Sequence, residues 1–187
     1  MYPFEAYEIT QWLPERGGYT PTQTPHTISH ERGIQTYKQS TCPWKGGTFI
    51  IHEPKSNLVI ALSNGVLGLY PQREGGSRDT ANHDFGPYWK CMENEARWLG
   101  FENTVSAAYI GHNNEMSCWR FAAKQLSHGD RESFCARQHP DGGYVLLVKY
   151  GSGFVPMRAG GKGGTELVLD NGQKEGTRWQ FIRVDYP

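Results

Sequence analysis

Three aromatic residues recur along the chain at a fixed distance. Trp89, Phe134 and Trp179 follow one another at intervals of 45 residues, and each lies in a short apolar run. Tyr109 and Phe154 are also 45 residues apart. A period of this size indicates one structural unit made three times. Such a repeat constrains the architecture before any motif is considered.

The stretches between the repeated aromatics have the composition of short β-strands. Residues 58–60, 145–148 and 166–169 are rich in Val, Leu and Ile, and Asn64-Gly65 is typical of a tight hairpin turn. Helical periodicity is weak, although residues 93–97 and 119–126 could each form about one helical turn. Three units of four strands predict an all-β chain with the β-trefoil fold, a six-stranded barrel capped by three hairpins. A β-sandwich is the alternative, but it does not account for the period.

The repeat also predicts how the chain is divided. Residues 47–187 are expected to form the trefoil domain, with about six extra residues inserted in the first unit between Pro71 and Pro87. Residues 1–46 lie outside the repeat and are rich in proline and aromatic residues. Because disordered tails are usually poor in aromatics, we expect this N-terminal extension to pack against the barrel as an irregular strap.

Composition excludes several classes of partner. The formal net charge is zero, so no electrostatic surface for nucleic acid or an anionic membrane is expected. No apolar run approaches the roughly 20 residues of a membrane helix. The first residues lack the pattern of a signal peptide, and a cytoplasmic location is therefore expected.

No metal or cofactor is predicted. The four cysteines have no C-x-x-C spacing, so they are expected to be free thiols that behave as small hydrophobic residues. Asp84-Phe85-Gly86 lacks the other kinase motifs, and the glycine-rich segment 160–165 lacks the spacing of a phosphate-binding loop.

Several histidines stand near carboxylates and form candidate acid–base pairs. These are His52-Glu53, His83-Asp84, His112 with Glu115, and His139 with Asp141. A neighbouring carboxylate orients a histidine and raises its basicity, as general acid–base catalysis near neutral pH requires.

Function in a repeated fold tends to occupy the places where one unit departs from the others. If Leu58, Tyr109 and Phe154 are equivalent, His112 stands where the other units have Ala61 and Met157. We therefore predict His112 as the catalytic group of an enzyme, if the protein is one. The predicted supporting residues are His83 of the insertion, Glu115 or Asp84 to orient the ring, and Trp98, Trp119 or Trp44 to hold a ligand.

The later repeats resemble the fascin-like branch of β-trefoils. Trp98-Leu99-Gly100-Phe101, Tyr109-Ile110-Gly111 and the stretch from Phe134 to Asp141-Gly142-Gly143-Tyr144 follow the order of that family's strands and turns. The chain is similar in particular to small single-trefoil proteins of filamentous fungi, over roughly residues 47–184. The resemblance implies the trefoil fold, and most trefoils are non-catalytic binding modules. A single trefoil without net charge is not expected to bundle actin.

Sugar binding of the ricin type has its own motif, Gln-x-Trp near the end of each unit. The residues two positions before the repeated aromatics are instead Pro87, Glu132 and Thr177. That type of lectin is therefore disfavoured, although an exposed Trp elsewhere could still stack on a sugar ring.

Two classes of function remain open. The first is a binding module for a small molecule, a glycan or a protein. The second is a cofactor-free enzyme of fungal secondary metabolism, such as a cyclase, isomerase or dehydratase, which needs only an apolar pocket and one acid–base pair. We favour the first.

Overall fold

The computed structural model describes residues 40–72, 85–113, 119–170 and 175–184, and this part of the chain is almost entirely β-structure. In these ranges the chain has no α-helix, only the 3-10 turns Asp130–Glu132 and Lys162–Gly164. Neither turn is long or apolar enough to cross a membrane. The strands are β1 (Thr48–Glu53), β2 (Leu58–Ser63), β3 (Val66–Pro71), β4 (Phe85–Gly86), β5 (Tyr88–Glu93), β6 (Leu99–Asn103), β7 (Tyr109–His112), β8 (Phe121–Gln125), β9 (Phe134–Gln138), β10 (Tyr144–Tyr150), β11 (Gly153–Gly160), β12 (Glu166–Leu169) and β13 (Arg178–Val184).

Six of these strands close into a barrel. Each is antiparallel to its neighbours in the order β1, β5, β6, β9, β10 and β13, and β13 pairs back with β1. The pairs β2–β3, β7–β8 and β11–β12 form three further hairpins. Closure leaves the barrel without a free sheet edge. This arrangement is a β-trefoil, as the sequence period predicts.

The repeated aromatics occupy equivalent places in the core. Trp89, Phe134 and Trp179 are each 0% exposed. They stand opposite Phe49, Leu99 and Tyr144 in the barrel register. The three spaced residues are therefore structurally equivalent. Around them lies an apolar core that also includes Ile51, Phe101, Leu146 and Phe181.

The hairpins, however, do not keep the 45-residue spacing. Ile60 pairs with Leu69, Ile110 with Ala123, and Met157 with Leu169. Leu69 and Leu169 are therefore equivalent residues of the first and third units. Their N–H groups make equivalent bonds: Leu69 donates to the Thr165 carbonyl and Leu169 to the Trp119 carbonyl, both at 2.8 Å.

Equivalence in the hairpins is therefore shifted from the predicted one. His112 stands where the other units have Leu62 and Ala159, rather than Ala61 and Met157. The predicted alignment is wrong by one residue in the first unit and by two in the third, where β10 and β11 are longer than the corresponding strands of the other units.

Side chains cap the matching turn in the first two units. Glu53 accepts hydrogen bonds from the N–H groups of Lys55 and Ser56, at 2.9 and 2.6 Å. Asn103 Oδ1 accepts from Val105 and Ser106 in the same way, at 3.1 and 3.2 Å.

The third unit has a different connection at that position. There β10 continues to Tyr150, and the chain turns tightly through Gly151, with φ 57°, into β11. A positive φ of this kind suits glycine. The longer hairpin carries Tyr150 and Phe154 beyond the capped turns of the other units.

The two short helical turns that the sequence allowed do not form. Residues 121–125 make strand β8 instead, because they pair with β7 and bury Phe121 and Ala123. Residues 94–97 make a turn in which Asn94 Oδ1 accepts the Trp98 N–H at 3.0 Å.

Other predictions fall largely outside the described residues. The connection between β3 and β5 is longer than its counterparts in the other units and includes β4, but residues 73–84 within it are outside the described part. Of the N-terminal extension, residues 1–39 are likewise outside it. Thr41 N–H does donate to the Phe181 carbonyl of β13 at 2.9 Å.

The cysteines in the described part are free thiols, namely Cys42, Cys91 and Cys135. Cys91 is buried in the core, and burial raises the pKa of its thiol to about 12. It therefore behaves as a small hydrophobic residue at neutral pH. Cys118 lies outside the described residues.

Candidate functional site

The long hairpin of the third unit forms one side of a pocket, which we call the aromatic pocket. Its volume is about 360 Å³, within the usual range of small-ligand sites. The opposite side is the segment just before β8, from the second unit. The lining residues are Trp119, Tyr150, Phe154, Val155, Pro156, Leu169 and Asp170.

Backbone and side-chain contacts hold Trp119 at the edge of this pocket. Its carbonyl accepts the Leu169 N–H at 2.8 Å, and the next residue, Arg120, forms a β-bridge with Val168. Arg120 Nε also lies 3.1 Å from Glu166 Oε2. The Trp119 side chain is nevertheless 51% exposed. A large aromatic ring is thus fixed in place with much of its surface open to a ligand.

A row of aromatic rings continues from Trp119. Its ring centre lies 5.4 Å from that of Tyr150, at an interplanar angle of 64°. At the far side, Phe154 lies 4.7 Å from Trp98 in a tilted arrangement. Edge-to-face and tilted contacts of this kind are favourable and hold the rings in position. Trp98 therefore supports the pocket from behind.

Asp170 supplies the charged group of the aromatic pocket. It is 1% exposed, and its N–H donates to the Pro156 carbonyl at 2.8 Å, which ties it to β11. The carboxylate interacts with other groups of the protein and has almost no accessible surface, so the aromatic rings are the surfaces that the pocket offers to a ligand.

His112 lies behind Tyr150, with ring centres 5.6 Å apart, and is only 6% exposed. Its Nε2 is 3.1 Å from the Lys149 carbonyl oxygen. Since a carbonyl can only accept, Nε2 must carry the hydrogen, and Nδ1 of the neutral ring has the lone pair. Among the residues that the structure describes, Nδ1 has no hydrogen-bond partner. Burial is the main reason that the pKa of His112 lies below its ordinary value.

Two polar cavities meet at His112, and we call them together the polar groove. One, of about 380 Å³, is lined by His112, Asp130, Arg131, Lys149, Tyr150 and Gly151. The other, of about 290 Å³, also contains His112 and Arg131 and extends to Tyr109, Lys124 and Glu132. Since Tyr150 also lines the aromatic pocket, the polar groove borders it directly.

Glu132 forms a buried acidic wall of this groove. It is 5% exposed, and its Oε2 accepts the Gly129 N–H at 3.2 Å. The backbone of Gly111 comes so close that a Cβ there would lie 2.5 Å from Glu132 Oε1. Burial raises the pKa of this carboxyl group. The glycine therefore makes room for the carboxylate beside β7.

The predicted site residues separate into three groups. Trp119, Trp98 and His112 are brought into one region, joined through Phe154 and Tyr150. Trp44, which is 70% exposed, instead lines a different cavity of about 300 Å³ beside Cys42 and Arg183. Three predicted residues lie outside the described part of the chain, namely His83, Asp84 and Glu115.

The hydrogen bond of His112 goes to a backbone carbonyl rather than a carboxylate. A pairing with Asp84 or Glu115 therefore stays a prediction. Tyr150, Phe154, Asp170 and Glu132 were not predicted as site residues. Tyr150 and Phe154 could have been found from the apolar run before Gly151 and the aromatic residue directly after Gly153.

Stability should depend on pH through His112. The unfolded chain protonates this ring near the ordinary value of 6.5, whereas the folded barrel resists protonation because burial lowers its pKa. The unfolded state then binds more protons, so the free energy of unfolding should fall as the pH drops from about 6.5 through the lowered folded value.

Urea unfolding of the wild type and of His112→Gln between about pH 7.5 and pH 5 measures this. The difference in stability between the two proteins should shrink or reverse towards acid. A difference that does not change with pH would contradict the prediction.

Comparison with known proteins gives likenesses of structure alone. No protein-family model matches the chain, and no curated protein sequence matches it. A Macrolepiota procera ricin B-like lectin, solved in complex with lactose, is similar over 77% of this chain and 100% of its own, with 17% identity and a TM-score of 0.57.

Two further solved structures are similar. The Rhizoctonia solani agglutinin matches over 78% of this chain and 100% of its own, with 12% identity and a TM-score of 0.54. SeviL, solved with the asialo-GM1 saccharide, matches over 75% and 100%, with 15% identity and a TM-score of 0.53. At these identities the likeness establishes the fold: the chain is a β-trefoil, of the kind also found in ricin B-like lectins.

Proposed function

We propose that this protein is a glycan-binding module and that the aromatic pocket is its binding site. The observation that carries the proposal is the half-exposed ring of Trp119, held beside Tyr150 in the aromatic pocket. The C–H face of a sugar ring is apolar and stacks on an aromatic ring of this kind. The pocket also has a size suited to a small ligand.

The comparisons support the proposal at the level of fold. Two of the similar structures contain a saccharide, lactose or the asialo-GM1 glycan. Fold alone does not fix function, and the Gln-x-Trp motif of ricin-type lectins is absent at Trp89 and Trp179. The site is therefore proposed from residues of this chain and not transferred from those lectins.

The described residues give less support to the enzyme alternative. The Nε2–H of His112 is used by the Lys149 carbonyl, and the ring is buried. A general acid–base group must instead reach a proton of the substrate.

We retain the fascin-like, fungal relationship as a proposal about the descent of this protein. The cysteines of the described residues, Cys42, Cys91 and Cys135, are free thiols, which is compatible with the proposed cytoplasmic location.

A glycan array probed with the labelled full-length protein tests the proposal. We expect selective retention of a small set of related saccharides, and calorimetric titration of one of them should give a saturable, one-site curve. The apolar area buried on stacking predicts a negative heat-capacity change of binding. A protein that retains no saccharide on the array, while remaining folded by circular dichroism, would contradict the proposed function.

A further inference from the structure

The polar groove continues the aromatic pocket, with Tyr150 as the shared wall. A ligand that occupies both must be longer than one sugar ring, because it has to pass across Tyr150. The groove has a different chemistry from the pocket. Its lining includes the cations Lys124, Arg131 and Lys149.

The charges of the groove are not fully neutralised by the protein. Lys149 Nζ lies 2.8 Å from Asp130 Oδ1, so these two groups balance one another. Arg131 and Lys124 are exposed, and neither has a hydrogen bond or ion pair with another residue of the described ranges. Glu132 is the remaining acidic group, and its carboxylate is buried and bonded to the Gly129 N–H. The groove thus has three cations, Lys124, Arg131 and Lys149, against the two carboxylates of Asp130 and Glu132, and Arg131 and Lys124 are the exposed cations that can face a ligand.

We infer that the polar groove is a second subsite, which binds the anionic group of an acidic oligosaccharide whose neighbouring sugar stacks in the aromatic pocket. A guanidinium group binds carboxylate or sulfate through two parallel hydrogen bonds, and Arg131 is the group placed to do this. Lys124 adds attraction from the far end of the groove. The inference rests on the proposed glycan-binding function and names its ligand class.

The test compares Arg131→Gln with Arg137→Gln in the full-length protein. Arg137 is exposed on β9 and lines none of the cavities described above. The array carries each oligosaccharide in a neutral, a carboxylated and a sulfated form. Arg131→Gln should weaken binding of the charged forms by about tenfold or more and of the neutral form by less than about twofold. Arg137→Gln should leave all three unchanged.

The two kinds of acidic group are distinguished on the same array. Preference for the carboxylated form identifies a sialic or uronic acid, and preference for the sulfated form identifies a sulfated sugar. In either case raised salt should weaken the charged form more than the neutral one.

Failure of this inference and failure of the proposed function look different. If neutral saccharides bind as well as or better than their charged forms, or if Arg131→Gln weakens all forms equally, the acidic subsite is wrong while glycan binding stands. If no saccharide binds at all, the proposed function is wrong, and the inference that depends on it is wrong too.

Discussion

A protein in which Trp89 is replaced by alanine should lose most of its stability. The side chain is 0% exposed, and its indole N–H donates to the Ile60 carbonyl at 2.8 Å. Removing a buried Trp leaves a large cavity and typically costs about 3–5 kcal/mol. A domain of this kind has only about 5–15 kcal/mol in total. Urea unfolding followed by circular dichroism should show a strongly lowered midpoint or no folded baseline.

The internal repeat offers a matched pair that separates packing from hydrogen bonding. Trp179 is equivalent to Trp89 and equally buried, but within the described residues its indole N–H has no partner. The second unit already has Phe134 at this position, so phenylalanine suits the repeat. Trp89→Phe should cost about 1–3 kcal/mol more than Trp179→Phe, because only the first leaves the Ile60 carbonyl unsatisfied. Equal losses would show that the bond contributes nothing.

Replacing Trp119 by alanine should weaken glycan binding by about thirtyfold or more. Aromatic residues at the centre of a site commonly account for 2 kcal/mol or more of the binding free energy. About half of this residue is buried, since it is 51% exposed, so the same substitution should also lower the melting temperature by several degrees while leaving the protein folded. Calorimetric titration and a thermal melt on the same sample measure the two effects.

Trp44→Ala is the matched comparison, because Trp44 is the other strongly exposed tryptophan of the described residues. It lines a separate cavity with Arg183, and its loss should leave glycan affinity unchanged. The reverse result, with affinity lost in Trp44→Ala and kept in Trp119→Ala, would move the binding site to that other cavity.

The barrel could be predicted from sequence because its core obeys the repeat. Trp89, Phe134 and Trp179 each fill the same place, and large apolar residues at a fixed spacing remain visible in a sequence. The hairpins were harder to predict. The greater length of β10 and β11 shifts the pairing within the hairpins, although Trp179 keeps its place in the barrel, and neither residue type nor composition reports the shift.

Only part of the site could be predicted, because the pocket joins residues of two different units. Trp119 and Trp98 are conspicuous by residue type, and His112 stands out as a polar residue where the other units are apolar, whichever alignment is used. The pocket itself is formed by Trp119 of one unit and Asp170 of the next. No local pattern predicts that these two lie together, because the backbone bond from Leu169 to Trp119 is a tertiary contact.

The tight turn at Gly151 has a consequence for valency. In the first two units, the matching position is a capped turn, closed by Glu53 or Asn103. Thr165 takes the place of Trp119 beside the first unit. A copy of the β10–β11 hairpin in place of the Glu53 turn, with an aromatic residue at 165, would create a second pocket on the same barrel. Two pockets on one rigid frame can bind a clustered glycan with an avidity about 10²–10⁴ times the single-site affinity. If the aromatic pocket binds a glycan as proposed, the number of sugars that the barrel can hold is set by its turns, and a change in a turn can alter attachment to a glycan-bearing surface without disturbing the core.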